Sequence, residues 1–180
     1  MQNKTDEHGG VEVVRPQWRH EEIAFRGRGL PAEERKKIRK ALRTLHSLET
    51  MAVTIYRLQI GRAETELNRE LIAAMCNEMT HQQDFQTRLY EYGLTPGPLR
   101  LFWWAVGLIF GIGSRLCGRR AILRMGIWVE SKAVHHYSEL LVAADWDDAT
   151  RAVIDKDQAD EQGHIQTWRR LLDLDGPRKR

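Results

Sequence analysis

Two stretches of this 180-residue chain repeat one arrangement of ionisable groups: Glu78 with His81, and Glu161 with His164, each a Glu-x-x-His preceded one hairpin length upstream by another glutamate, Glu49 or Glu130. Residues three apart on a helix share a face one turn apart, so each pair can grip one cation while its carboxylate reaches a second. One Glu from each of two helices plus Glu-x-x-His from each of two others is the ligand set of carboxylate-bridged di-iron and di-manganese bundles. Oxygen-rich ligation with two imidazoles suits iron or manganese rather than zinc alone. The expected metal ligands are therefore Glu49, Glu78, His81, Glu130, Glu161 and His164, with Glu78 and Glu161 as the bridging carboxylates.

Four helices must bring these six to one level. Proline and two acids at Pro31, Glu33 and Glu34 suit a first helical turn, and a long helix is expected from there to about Gly61. A second is expected from Glu64 to Tyr92, stopped by Gly93 with Pro96 behind it, a third from Arg119 to Ala144, and a fourth after the cap candidates Asp147 and Asp148. Their inner stripes read Ile38, Leu42, Leu45, Glu49, Ala52, Tyr56; Leu71, Ala74, Glu78, His81, Phe85, Leu89; Leu123, Ile127, Glu130, Val134, Tyr137, Leu141; and Ile154, Asp157, Glu161, His164, Trp168, Leu171. Each apolar stripe is interrupted by ionisable groups. Uncompensated buried carboxylates would cost several kcal/mol apiece, so something cationic must sit among them. A carboxylate and arginine network is the competing explanation, but the stripes contain no arginine. Strand signals are nearly absent, and two antiparallel hairpins make an all-α four-helix bundle.

The connection between hairpins, residues 99–118, holds the apolar run LFWWAVGLIFGIG between Arg100 and Arg115. A bilayer core takes about 20 apolar residues, so this run is too short to span, and its Trp103, Trp104 and flanking arginines point to an interfacial segment. A crossover helix packed on the bundle is the alternative. Residues 1–29 are expected to form a flexible arm, residues 30–175 the bundle and residues 176–180 a basic tail.

Composition narrows the function further. With 28 Lys plus Arg against 25 Asp plus Glu, the net charge of +3 is too small for a nucleic-acid footprint. Cys76 and Cys117 form no zinc or disulfide framework, which fits a reducing compartment. Met1 to Gly10 is polar, so no signal peptide is expected.

Beyond the ligand pattern, the chain resembles a known family, the demethoxyubiquinone hydroxylases, the COQ7-like branch of the ferritin-like superfamily. The resemblance rests on Arg43, His46, Glu49 and Tyr56 in the first helix, and on Glu130 followed by His136 and Tyr137 in the third. It rests also on the Pro-, Trp- and Gly-rich stretch TPGPLRLFWWAVGLIFGIGSRLCG. It implies a ferritin-like fold and a peripheral enzyme on the cytoplasmic face of the inner membrane. The reaction it implies is hydroxylation of the ring of a polyprenylated quinone precursor in ubiquinone biosynthesis, with dioxygen activated at two ferrous irons and electrons from NADH or another external reductant. The lipid quinone and the membrane surface are the implied partners, with a homo-oligomer or biosynthetic complex left open. Carried over residue by residue, the six ligands are those above. His136 and Tyr137 are the groups that position a ligand or move protons and electrons. Tyr56 reads equally as a core aromatic or as a group near the metals.

This chain departs from the family's usual pattern at Ser47 and Leu48, where a small pair is common, at Gly163, and at Asp160, where Glu is common. GIGSRLCG lacks the strand and spacing of a dinucleotide fingerprint, so contact with a nicotinamide is expected to be transient or indirect. Two other functions stand as alternatives: a ferritin-like di-iron oxidase or peroxidase that does not act on quinone, and a non-catalytic membrane quinone-binding protein that holds no functional metal.

Overall fold

The computed structural model describes residues 19–174. After a single 3-10 turn at His20–Glu22 come α1 (Ala32–Gln59), α2 (Glu66–Glu91), α3 (Leu99–Leu116), α4 (Arg119–Leu141) and α5 (Asp148–Leu174), and the described residues contain no strand. The α1/α2 and α4/α5 hairpins form a ferritin-like four-helix bundle, with α3 as the additional helix that joins them.

Local chemistry sets the helix ends. Pro31 is the N-cap of α1, with Glu33 and Glu34 in the first turn. At the start of α2 the Thr65 hydroxyl accepts from the Asn68 N–H at 3.1 Å, and Gly93, at φ 65°, lets the chain turn away from its end. Asp147 caps α5, its Oδ1 accepting from the Thr150 N–H at 3.1 Å and its Oδ2 from the Thr150 hydroxyl at 2.6 Å. The third bundle helix stops at Leu141, three residues before the expected Ala144.

The inner stripes point inward as their spacing requires. Leu42, Leu45, Phe85, Leu89, Tyr137 and Ile154 make one apolar cluster, and Tyr56, Leu71, Leu123, Trp168 and Leu171 make another. Gly126 lets α4 close on α5, since a Cβ there would stand 2.8 Å from the Trp168 ring. Between the two clusters lies a layer of buried carboxylates and imidazoles.

The connection is one helix of 18 residues that continues through Arg100 at one end and Arg115 at the other. By length and composition alone it is long and apolar enough to cross a membrane, whereas the shorter run bounded by its arginines is not. One flank is seated on α1. A Cβ at Gly107 would lie 2.9 Å from the Met51 carbonyl oxygen, and one at Gly111 3.0 Å from that of Ile55. Gln59 Nε2 donates to Ser114 Oγ at 2.7 Å, and Arg115 Nη1 donates to the Leu58, Gln59 and Ile60 carbonyls, satisfying the free end of α1. The opposite flank exposes Leu101, Phe102, Trp104, Ile109, Ile112 and Leu116.

Residues 1–18 of the expected arm and the basic tail 176–180 lie outside the described residues. Within 19–29, Arg26 Nε donates to Glu91 at 2.8 Å and its Nη1 to Asp147 at 2.6 Å, while the Ala24 N–H donates to Glu91 Oε1 at 2.9 Å.

Candidate metal centre

The six side chains expected to hold metals converge in the middle of the bundle. Glu49 comes from α1, Glu78 and His81 from α2, Glu130 from α4, and Glu161 and His164 from α5. His164 is mostly buried, and the other five are at most 2% exposed. They form two overlapping groups. One ligand atom each from Glu49, Glu78, His81 and Glu161 lies within 4.8 Å of the others, and so does one each from Glu78, Glu130, Glu161 and His164. Glu78 and Glu161 belong to both groups, the arrangement that bridging requires.

His81 Nδ1 stands 3.1 Å from Glu161, 3.7 Å from Glu78 and 3.9 Å from Glu49. His164 Nδ1 stands 3.0 Å from Glu78, 3.4 Å from Glu161 and 3.7 Å from Glu130. Several of these atoms face one another without forming hydrogen bonds. Both oxygens of Glu78, Oε2 of Glu130 and of Glu161, and Nδ1 of His164 are buried with no hydrogen-bond partner. Buried polar atoms rarely stay orphaned, and carboxylate lone pairs that converge in this way suit cations. The residues present therefore fit a pair of divalent metals.

The electrostatics point the same way. Burial pushes Glu49 well above the usual carboxylate range, helped by the charges of Glu78 and Glu161, and pushes Glu130 up to about 8, helped by Glu161. Burial also opposes ionisation of Glu78, but the imidazoles of His164 and His81 outweigh it and hold that carboxyl low. Both imidazoles are raised despite burial, His81 by Asp160, Glu161 and Glu78, and His164 up to about 12 by Glu130, Glu161 and Glu78. Protons thus occupy the places where two cations would balance the carboxylates.

Tyrosines hold the two outer glutamates. The Tyr137 hydroxyl donates to Glu49 Oε1 at 2.7 Å, and that of Tyr56 donates to Glu130 Oε1 while accepting from Trp168 Nε1 at 3.1 Å. The structure thus places Tyr56 beside the ligands. Behind His81, Nε2 lies 3.2 Å from Asp160 and 3.7 Å from Asp157, and Lys156 Nζ donates to Asp157 at 2.8 Å. Such a carboxylate fixes the ring and the tautomer of a ligating histidine.

Sequence reasoning gave no role to Asp157, a fully buried acid, or to Trp168. Their positions on the inner stripe were the available signal. His136 is not brought to the cluster. Its side chain is 42% exposed, and its Nδ1 lies 3.2 Å from Glu139.

A cavity of about 280 Å³ runs from Glu49, Glu78 and Glu130 outward between α1, α3 and α4. Leu48, Met51, Trp103, Phe110, Trp128 and Val129 wall it, and Lys132 and His136 also line it. Trp103 is half-buried and Trp104 is 47% exposed, so neither indole is sealed in the core.

The model of the ubiquinone biosynthesis protein COQ7 family matches residues 36–172. A 3-demethoxyubiquinol 3-hydroxylase of Legionella pneumophila (strain Paris) is 28% identical over 140 residues, 77% of this chain and 66% of the relative, so the chain spans just under two thirds of that protein's length. A protein of the same name from Polynucleobacter asymbioticus is 29% identical over 160 residues, 88% of this chain and 76% of the relative. The mitochondrial NADPH-dependent 3-demethoxyubiquinone 3-hydroxylase of Dictyostelium discoideum is 29% identical over 109 residues, 60% of this chain and 50% of the relative.

Proposed function

Because this chain belongs to the COQ7 family of ubiquinone biosynthesis proteins, we propose that it is a di-iron monooxygenase that hydroxylates the ring of a demethoxyubiquinone-like lipid. The observation that carries this reading is the continuity of two four-residue ligand groups, sharing Glu78 and Glu161, with an apolar cavity that opens beside α3. A ferritin-like oxidase handling only small molecules has no use for a passage walled by Trp103, Phe110 and Trp128.

In this reading Glu49, Glu78, His81 and Glu161 would hold one iron, and Glu78, Glu130, Glu161 and His164 the other. Bound there, the iron pair would supply dioxygen activation, with an external reduced nicotinamide as the electron source. Insertion of one oxygen atom into a ring C–H bond sends the second oxygen to water, which takes two electrons and two protons from the reductant side. Tyr137 and Tyr56 fix the outer carboxylates, and Asp160 fixes His81. The walls of the cavity exclude water and present the ring edge to the ligand cluster. His136, which lines the cavity and is half-exposed, would in this reading relay protons from solvent along the cavity rather than at the ligands. The exposed flank of α3 lies against the bilayer as an interfacial helix on the cytoplasmic face of the inner membrane, so a polyprenyl tail can stay in lipid while the ring enters.

The test is incubation of iron-loaded protein with NADH or NADPH, oxygen and a demethoxyubiquinone, with mass spectrometry of the quinone. A product heavier by one oxygen is expected. Oxygen consumption with an unchanged quinone would instead identify an oxidase, and absence of iron binding with intact helicity would identify a binding protein.

A further inference from the structure

A second recess opens on the other side of α1, at the start of α3. It has a volume of about 360 Å³ and is lined by His46 and Thr50 of α1, Gln82 and Gln86 of α2, and Arg100 and Trp104 of α3. Leu101, which also lines it, is 64% exposed and belongs with Trp104 to the apolar flank of α3. The recess is therefore a polar hollow at the edge of the surface assigned above to the bilayer, and any lipid-binding role for it rests on that assignment.

No carboxylate lines the hollow. Of the two arginines that bound the apolar run, Arg115 is committed to the carbonyls at the end of α1, whereas Arg100 has no ion pair among the described residues. The wall beside it is organised. Gln82 Nε2 donates to Thr50 Oγ1 at 2.7 Å, the Thr50 hydroxyl donates to the His46 carbonyl at 2.8 Å, and His46 Nε2 lies 3.3 Å from Gln86 Oε1. His46 is 1% exposed, yet its Nδ1 has no hydrogen-bond partner. A buried imidazole nitrogen is costly to leave unpaired, and its residue lines a hollow whose one formal charge is a guanidinium.

We infer that the hollow formed by His46, Gln86 and Arg100 at the start of α3 binds the phosphodiester of a membrane phospholipid. Arg100 supplies the charge and a forked donor pair, His46 and Gln86 supply the polar wall behind it, and Trp104 with Leu101 lies along the first carbons of the acyl chains. The site sets the depth and rotation of α3 at the bilayer surface, and with them the direction in which the first cavity opens. It lies outside the metal ligands and takes no part in the reaction.

The test is partition of the full chain onto phosphatidylcholine vesicles, whose surface carries no net charge, so that an ordinary surface arginine contributes little. Arg100→Gln is expected to lower the partition coefficient by roughly five- to tenfold, while Arg124→Gln, an exposed arginine on α4, changes it by less than about twofold. In vesicle-free solution, glycerophosphocholine should shift the tryptophan emission of the wild type but not of Arg100→Gln, and inorganic phosphate at the same concentration should not. Equal partition of wild type and Arg100→Gln would overturn the inference while leaving the membrane reading intact. Equal binding of inorganic phosphate would replace it with a free-phosphate site. Failure of the wild type to reach any vesicle would overturn the membrane reading itself, and the lipid assignment with it.

Discussion

Tyr137, on α4, donates its hydroxyl hydrogen across the bundle to Glu49 Oε1, on α1, at 2.7 Å, and both residues are at most 2% exposed. Removing that donor leaves a buried carboxylate oxygen without a partner. Tyr137→Phe should cost about 1 kcal/mol of stability and weaken metal binding roughly tenfold, with helicity unchanged. Circular dichroism and ferrous titration measure the two effects, and unaltered affinity would mean that the tyrosine does not orient its carboxylate.

Glu161 and Glu130 should differ in what their loss does to metal content. Glu161 belongs to both ligand groups and Glu130 to one. Glu161→Ala is expected to hold less than about half an iron per chain, and Glu130→Ala close to one. Anaerobic loading followed by metal analysis separates them, and equal stoichiometry would argue against bridging by Glu161.

Metal-free and metal-loaded protein should respond oppositely to pH. Glu130 rises to about 8 and Glu49 rises as well, chiefly through burial. A group raised above its unfolded pKa contributes stability that is full below the unfolded value and is lost as pH climbs through the folded one. Both imidazoles, raised by the carboxylates that overcome their burial, act with the same sign. Metal-free protein should therefore melt several degrees lower at pH 8 than at pH 5.5. Binding iron or manganese releases those protons, so loading should stabilise more at pH 8. Melting curves in chelator and in metal check this, and a flat metal-free profile would contradict it.

The seat of α3 tolerates no added bulk. A Cβ at Gly111 would stand 2.9 Å from the Leu58 Cβ and 3.0 Å from the Ile55 carbonyl oxygen. Gly111→Val should cost about 1–3 kcal/mol and lower quinone turnover more than iron content, since it tilts a cavity wall without touching a ligand. Turnover and iron falling in equal proportion would instead indicate general misfolding.

Leu48 faces the cavity beside Glu49. Leu48→Ala is expected to raise kcat/KM for a bulkier ring relative to a smaller one by roughly threefold or more, at about 2 kcal/mol of stability. Paired turnover measurements on two ring analogues decide it.

The six-residue convergence was legible because a helix makes residue spacing into geometry: Glu49, Glu78, Glu130 and Glu161 each interrupt an apolar stripe, and the structure brings them to one level. The tyrosine partners were only half legible. Tyr56 falls on the same stripe as Glu49, but its bond to Glu130 crosses from α1 to α4 and depends on how those helices are rotated. His136 shows the reverse case. It is adjacent to the buried Tyr137 in sequence, yet neighbouring residues on a helix point about 100° apart, so it faces outward. The length of α3 was hidden by its arginines, which long side chains allow a helix to carry at its ends without stopping.

Each hairpin supplies three ligands to one group and lends one carboxylate to the other, Glu161 to the first and Glu78 to the second. A chain emerging from the ribosome therefore completes α1 and α2 long before either group has its fourth ligand. The first group is complete only with Glu161, and the second only with Glu161 and His164. Completion of either ligand group therefore requires that the two halves of the bundle have already come together.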